Sequence, residues 1–251
     1  MHPFYRLVLA ANRDEFYNRP TAPLSFQGDD SQILAGRDLE HNGMWLGITK
    51  AGRMAAITNF RDPNIRPENP PSRGFLVSGF LSTDESPKSY LEQVKSIGHM
   101  YNGFNILVGD KSELFYYSNR GDSIQKITPG LYGLSNKFLD TPWPKIEKGK
   151  ANLKKVIDGN EKIDSEQILN ILKDGSCPSD SMLPDTGVGL LWERILSPLF
   201  ISSEIYGTRS SSIILMENTG KVTFTERTFV SDSATPKEEK TRKFSFILSE
   251  L

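Results

Sequence analysis

The chain has 251 residues, a formal net charge of −1 and a single cysteine, Cys177. The balanced charge argues against a general nucleic-acid-binding protein, which would carry a basic stripe, and one cysteine excludes an intrachain disulfide. No apolar stretch approaches the roughly 18 residues of a membrane span, so we expect a cytoplasmic, globular protein.

Apolar patterns predict the elements of the N-terminal half of the chain. They are a strand at 4–11, a short strand at 33–35, a hairpin of strands 45–49 and 54–60, a helix over 75–81, and a second helix that begins at Ser86-Pro87. Pro87 suits the first turn of that helix, where a missing N–H costs nothing.

The C-terminal half continues with strands at 104–108, 114–117 and 131–135, helices at 143–157 and 165–172, a loop at 175–189, and strands at 212–216, 222–229 and 243–248. The lysines of helix 143–157, Lys145 among them, are interpreted as a solvated face. Strands in hairpins with helices between them indicate an α+β fold. Because no Pro/Gly linker separates two cores, we predict one domain over residues 1–251.

Common cofactor and metal motifs are missing from the sequence. The three histidines, His2, His41 and His99, show no paired ligand spacing, which argues against a metal site. There is no phosphate-binding GxxxxGK[ST] loop and no GxGxxG after a strand. We therefore predict no cofactor.

Polar residues gather next to the ends of five predicted strands. These groups are Asn12-Arg13-Asp14-Glu15, Arg37-Asp38, Asn59 with Arg61-Asp62, Asn136, and Tyr206-Gly207-Thr208-Arg209. Each group alone is typical of a turn, where Asn and Asp bond to their own backbone. Together, with an arginine near four of them, they indicate a polar cleft, because arginine normally pairs with acids or bound anions.

Seven ordered sequence blocks carry a resemblance to a known family. The clearest are LVLAANRDEFYNRPTAP, ILAGRDLEHNGMWLGITKAGRMAAITNFRDP, YNGFNILVGD, YGLSNKFLDTPWPK and YGTRSSSIIL. They resemble the Transport and Golgi organisation protein 2 family, also called the NRDE family. The resemblance implies an Ntn-hydrolase-like fold, a four-layer αββα sandwich of two mainly antiparallel sheets.

The resemblance also implies roles for the polar residues. In Ntn hydrolases the N-terminal residue is the nucleophile and its α-amine is the base. Two asparagines, matched here by Asn59 and Asn136, would donate to an oxyanion, and Asp14 would hold the α-amine. The expected ligand-binding residues are Asn12, Arg13, Glu15, Arg37, Asp38, Arg61 and Arg209.

The sequence departs from the family at its start, where Met-His-Pro precedes the strand of LVLAANRDEF. The family's first strand and its Cys are not seen, and Cys177 is interpreted as an incidental thiol. Either the true start lies upstream, or the protein keeps the cleft without the chemistry.

The favoured function is a small-molecule binding or trafficking protein for haem, acyl-CoA or lipid, with no nucleic acid and no membrane span. The alternative is an N-terminal-cysteine amidohydrolase acting on C–N amide bonds, if the true start lies upstream. A scaffold role ranks last.

Overall fold

The computed structural model describes residues 2–28, 32–63, 65, 67–159, 161–230 and 237–249. Its strands are β1 (Tyr5–Phe16), β2 (Thr21–Gln27), β3 (Ile33–Asp38), β4 (Leu46–Thr49), β5 (Met54–Asn59), β6 (Phe104–Gly109), β7 (Leu114–Ser118), β8 (Gln125–Lys126), β9 (Tyr206–Glu217), β10 (Lys221–Val230) and β11 (Lys237–Ile247). Its helices are α1 (Gly74–Leu81), α2 (Pro87–Ile97), α3 (Pro144–Asp158), α4 (Ser165–Leu172) and α5 (Leu190–Ile195).

The chain divides into two compact units. The first comprises residues 1–19, 130–133 and 142–248, and the second comprises residues 20–129, 134–141 and 249–251. Each unit is built from one sheet and its helices. The single domain over residues 1–251 stays a prediction.

The sheet of the first unit has the strand order β1-β9-β10-β11, with every pairing antiparallel. Alternate residues of a strand share a face, and Val8, Ala10, Ile213 and Leu215 pack on one face against α4. This apolar layer holds α4 on the sheet and fixes which side chains of β1 point toward the helices.

The sheet of the second unit is an antiparallel meander in the order β2-β3-β4-β5-β6-β7-β8. Ala35, Ala55 and Phe104 pack on one face against α1 and α2. Gly43 lies so close to α1 that a Cβ atom there would come within 2.8 Å of the Cα atom of Gly74. The lack of a side chain at both positions brings the start of α1 next to the loop after β3.

The predicted α+β class with two antiparallel sheets is confirmed. The helix at 165–172 is α4, capped by the Asp164 carboxylate, which accepts from the backbone N–H of Glu166. Ser86 likewise caps α2, as its position before Pro87 predicts. The hairpin of β4 and β5 is also present.

Three of the five polar groups were wrongly placed outside strands. Asn12-Arg13-Asp14-Glu15 lies inside β1, Arg37-Asp38 inside β3, and Tyr206 to Arg209 inside β9. The sequence prediction ended each strand at its last apolar residue. Antiparallel pairing of β1 with β9 continues to Phe16 and Tyr206, because backbone hydrogen bonds do not require apolar side chains.

The predicted strand at 131–135 was wrong, and β2 was not predicted. Residues 131–135 form no strand, and Ser135 is held instead by Thr58, whose hydroxyl donates to the Ser135 carbonyl at 2.8 Å. Asn136 therefore follows an irregular segment rather than a strand.

None of the helices in the described part of the chain is both long enough and apolar enough to span a bilayer.

Candidate functional site

The side chains of the NRDE segment point alternately to the two faces of the first unit's sheet. Asn12 and Asp14 share a face with Val8 and Ala10, which pack toward the helices. The same alternation directs Arg13 toward the opposite face. The four residues are adjacent in sequence, but their side chains therefore do not form one cluster.

Asn12 fastens the sheet to the segments beside it. Its side-chain amide donates to the carbonyls of Leu172 at 2.9 Å and Leu199 at 2.8 Å. Its side-chain oxygen accepts from the Ser211 hydroxyl at 2.6 Å. These bonds use both amide protons, which gives Asn12 a structural role at the end of α4. Its ligand-binding role stays a prediction.

Asp14 is partly buried, and its carboxyl group has a polar partner. The Thr208 hydroxyl donates to its Oδ1 at 2.6 Å. Burial raises the pKa of Asp14 above its usual value of 3.8, while the Thr208 bond and the nearby Lys145 charge oppose that rise. A carboxyl group with a shifted pKa is a recognised mark of functional sites.

Lys145, whose charge acts on Asp14, was not predicted as a site residue from the sequence. It is partly buried at the start of α3, and its ammonium group donates to the Leu196 carbonyl at 2.9 Å. The interpretation of all five α3 lysines as a solvated face was therefore wrong for Lys145. Its spacing from Lys148 gave no local signal that the two differ.

We expect the Asp14→Asn protein to gain stability relative to the wild type as pH rises above 3.8. Between the unfolded and the raised folded pKa, the unfolded chain has lost the proton and the folded chain has kept it. The free energy of unfolding of the wild type therefore falls across that window, by about 1.4 kcal/mol per unit of pKa difference. Asparagine does not titrate, so the free energy of unfolding of the Asp14→Asn protein does not fall in this way.

Urea unfolding of both proteins at about pH 4 and about pH 7 measures this change. The exposed Asp122 provides a matched Asp→Asn control. A stability difference between wild type and Asp14→Asn that stays constant over this range contradicts the raised pKa.

Arg209 and Glu15 stabilise the end of β1. Arg209 is the extra residue of a bulge in β9, between the pairs of Ser210 and Thr208 with β1. Its Nη1 group donates to the carbonyls of Phe16, Tyr17 and Arg19 at 2.9, 3.1 and 3.2 Å. Glu15 forms an ion pair with Arg19 at 3.7 Å. These contacts order the turn after β1.

The second unit brings three of the predicted residues together. The Asn136 amide donates to the Asn59 carbonyl at 3.0 Å. The backbone N–H of Arg61 donates to the Asn136 carbonyl at 2.7 Å, and its guanidinium lies 3.4 Å from the Asn136 side-chain oxygen. The two predicted oxyanion donors, Asn59 and Asn136, are thus neighbours. The catalytic roles of Asp14, Asn59 and Asn136 stay predictions.

A buried network centred on Asn105 holds the segment around Asn136. The Asn105 amide donates to the Lys137 carbonyl at 2.9 Å and the Thr58 hydroxyl at 3.2 Å. Its oxygen accepts from the Tyr116 hydroxyl at 2.7 Å. Asn105 is fully buried, and sequence reasoning missed it, although an Asn between Phe104 and Ile106 in an apolar strand is a usable signal.

Arg37, another of the predicted arginines, lies in the second unit. It is partly buried in β3, on the face it shares with Ala35. Its Nε atom is shielded from solvent and has no hydrogen-bond partner within the described ranges. Asp38, the next residue, is buried, and its carboxylate lies 3.4 Å from the backbone N–H of Glu40.

Among the residues that the structure describes, His, Cys, Asp and Glu form no group of three or more that suits a metal ion.

Comparisons with known proteins agree with the motif resemblance. The chain is 39% identical over 257 residues to the mouse Transport and Golgi organization 2 homolog, covering 96% of this chain and 93% of that protein. It is 37% identical to the human homolog over the same shares. The Drosophila melanogaster protein is 25% identical, covering 89% of this chain and 86% of its own length.

A solved structure, a variant of conjugated bile acid hydrolase from Clostridium perfringens, aligns with a TM-score of 0.48 and 9% identity. The alignment covers 96% of this chain and 94% of the hydrolase. The family model described as Transport and Golgi organisation 2 matches residues 1–231. This chain belongs to the Transport and Golgi organisation 2 family.

Proposed function

We propose that this protein binds a small amphipathic molecule with an anionic group, of the haem or acyl-CoA and lipid class, and that Arg37 pairs with the anionic group. The observation that carries the proposal is the Nε atom of Arg37, which is shielded from solvent and has no hydrogen-bond partner in the described part of the chain. No ion pair joins its guanidinium to a described carboxylate.

The energetics favour a missing anion at this position. Burying an N–H donor without an acceptor costs free energy, and the guanidinium of arginine normally pairs with acids or bound anions. A guanidinium presents a rigid fork that matches a carboxylate or a phosphate in a bidentate arrangement. A ligand that supplies such a group would remove the cost.

Apolar surface close to Arg37 suits the rest of such a ligand. Leu39, two residues further along the chain, is 48% exposed, as is Phe75 in the first turn of α1. The Asp38 N–H donates to the Gly43 carbonyl at 3.0 Å, and Gly43 packs against Gly74. A cation beside exposed apolar side chains fits an amphipathic anion better than inorganic phosphate.

Haem and acyl-CoA both meet this description. Haem has two propionates on an apolar macrocycle, and acyl-CoA has phosphates and an acyl chain. The family resemblance implies both classes, and the arrangement around Arg37 supports an anionic and apolar ligand of either class.

Titration of the full chain with haemin, followed by absorbance, and with palmitoyl-CoA, followed by calorimetry, tests the proposal. We expect saturable binding of at least one of them at micromolar concentrations, which corresponds to a binding free energy of about 8 kcal/mol. If neither ligand binds saturably below about 1 mM, the proposal is wrong.

A further inference from the structure

The first unit has a cavity whose lining residues are distant from Arg37 in the sequence. It has a volume of about 220 Å³ and is lined by the start of α3 and by the segments that follow α4 and α5. Its lining includes Lys145, Lys148, Asp174, Cys177, Ser197 and Leu199. Nothing in the binding proposed for Arg37 uses it.

The charged lining of the cavity has an excess of positive charge. Lys145 and Lys148 contribute two ammonium groups, and Asp174 contributes one carboxylate. Lys148 lies 2.5 Å from the Asp174 carboxylate and also donates to the Ser176 hydroxyl at 2.5 Å. Asp14, on which the charge of Lys145 acts, is not in the lining.

The first turn of α3 adds to this positive potential. The side chain of Trp143, which precedes the helix, makes no capping hydrogen bond, and the first helical residues, Pro144 and Lys145, line the cavity. The start of a 15-residue helix carries a partial positive charge. Both the ammonium groups and the helix therefore favour an anion.

The apolar part of the lining and the volume of the cavity restrict the class of ligand further. Pro144, Pro178 and Leu199 provide apolar surface. The volume lies below the roughly 300–1,000 Å³ of sites for drug-sized molecules. A small organic acid with a short apolar part matches this combination of charge, apolar wall and volume.

We propose that this cavity is a binding site for a small organic carboxylate, held by Lys145 and Lys148, with the Cys177 thiol beside the bound molecule. Cys177 is the single cysteine of the chain and is exposed. Its alkylation therefore reports on this cavity alone.

Iodoacetate and iodoacetamide are a matched pair of probes for this site, because they differ in charge and little in size. In both reactions the thiolate of Cys177 attacks the methylene carbon, a C–S bond forms, and the C–I bond breaks. Iodide leaves with the bonding electrons, and the thiol proton goes to the buffer. A neutral free thiol, N-acetylcysteinamide, gives the reference ratio of the two rates.

Mass spectrometry of the intact chain measures both alkylation rates. We expect the iodoacetate-to-iodoacetamide ratio at Cys177 to exceed the reference by about threefold to fivefold, as expected for one partly exposed ion pair. Butyrate should protect Cys177 saturably, and butyramide should not. Lys148→Gln should lower the ratio to the reference, and Lys148→Arg should keep it.

Lys154→Gln is the matched control, since Lys154 is an exposed lysine of the same helix, paired with Asp158. Its ratio should equal that of the wild type. Thermal unfolding of each variant separates a local effect from a loss of fold. A wild-type ratio equal to the reference, or an unchanged ratio in folded Lys148→Gln, would overturn the proposal. Failure of haemin or palmitoyl-CoA to bind would leave it intact.

Discussion

Replacing Arg37 with glutamine is expected to weaken binding of haemin or palmitoyl-CoA by at least about thirtyfold. Removing one partner of a desolvated charge pair costs about 2–5 kcal/mol. The same change should not lower the free energy of unfolding of the ligand-free protein, because the lost guanidinium has a buried Nε without a hydrogen-bond partner in the described residues. Titration and urea unfolding of the same samples measure both effects.

Arg6→Gln is the control for this experiment, because Arg6 is an exposed arginine of β1 and the charge change is identical. Its affinity should remain within about twofold of the wild type. Arg37→Lys should give an intermediate loss, since lysine keeps the charge and loses the bidentate fork. Equal weakening by Arg6→Gln and Arg37→Gln would mean that overall charge, rather than Arg37, attracts the ligand.

Replacing Asn105 with leucine is expected to lower the free energy of unfolding by about 3–5 kcal/mol. Leucine has nearly the shape of asparagine and leaves the Lys137 carbonyl, the Thr58 hydroxyl and the Tyr116 hydroxyl without their Asn105 bonds. For a chain of this length the melting temperature should fall by roughly 6–20 °C. Thermal and urea unfolding measure the loss.

Hydrogen exchange locates the effect of this substitution within the fold. The backbone N–H of Leu139 donates to the Tyr116 hydroxyl at 3.2 Å, so its exchange should accelerate more than that of α2. Asn170→Leu, at an exposed position of α4, is the control and should change stability by no more than about 0.5 kcal/mol. An Asn105→Leu protein as stable as this control would show that the network does not hold the Asn136 segment.

Local sequence patterns predicted the elements whose structure depends on side-chain periodicity and helix capping. The helix at 165–172 has an apolar face and an acidic cap at Asp164, and it is present with the predicted bounds. The β4–β5 hairpin and β6 follow from their apolar runs in the same way. In these elements, propensity, pattern and tertiary packing agree.

The local sequence pattern could not identify the segments that bind a strand's backbone. β1 continues through Asn12 to Glu15 because β9 lies alongside it, more than 190 residues later in the chain. The strand predicted at 131–135 failed for the related reason that Thr58 and Asn105, rather than a neighbouring strand, bind its backbone. Neither partner can be read from the segment itself.

The candidate site was predicted only in part, for the same physical reason. Asn59 and Asn136 are neighbours, and Asn136 uses a side-chain donor on the Asn59 backbone carbonyl. Asn12 and Arg209 likewise use their donors on backbone carbonyls. Lys145 and Asn105 were missed because only tertiary contacts distinguish them from other lysines and asparagines. Residue type indicated polar function, and the fold decided which polar groups are already satisfied.

Comparing haemin with its dimethyl ester tests most directly whether Arg37 binds the anionic group of the ligand. The ester keeps the macrocycle and removes both propionate charges. The wild type should bind haemin at least about tenfold more tightly than the ester, and Arg37→Gln should bind the two equally. An Arg37→Gln protein that still prefers haemin to the ester as strongly as the wild type does would contradict the role of Arg37.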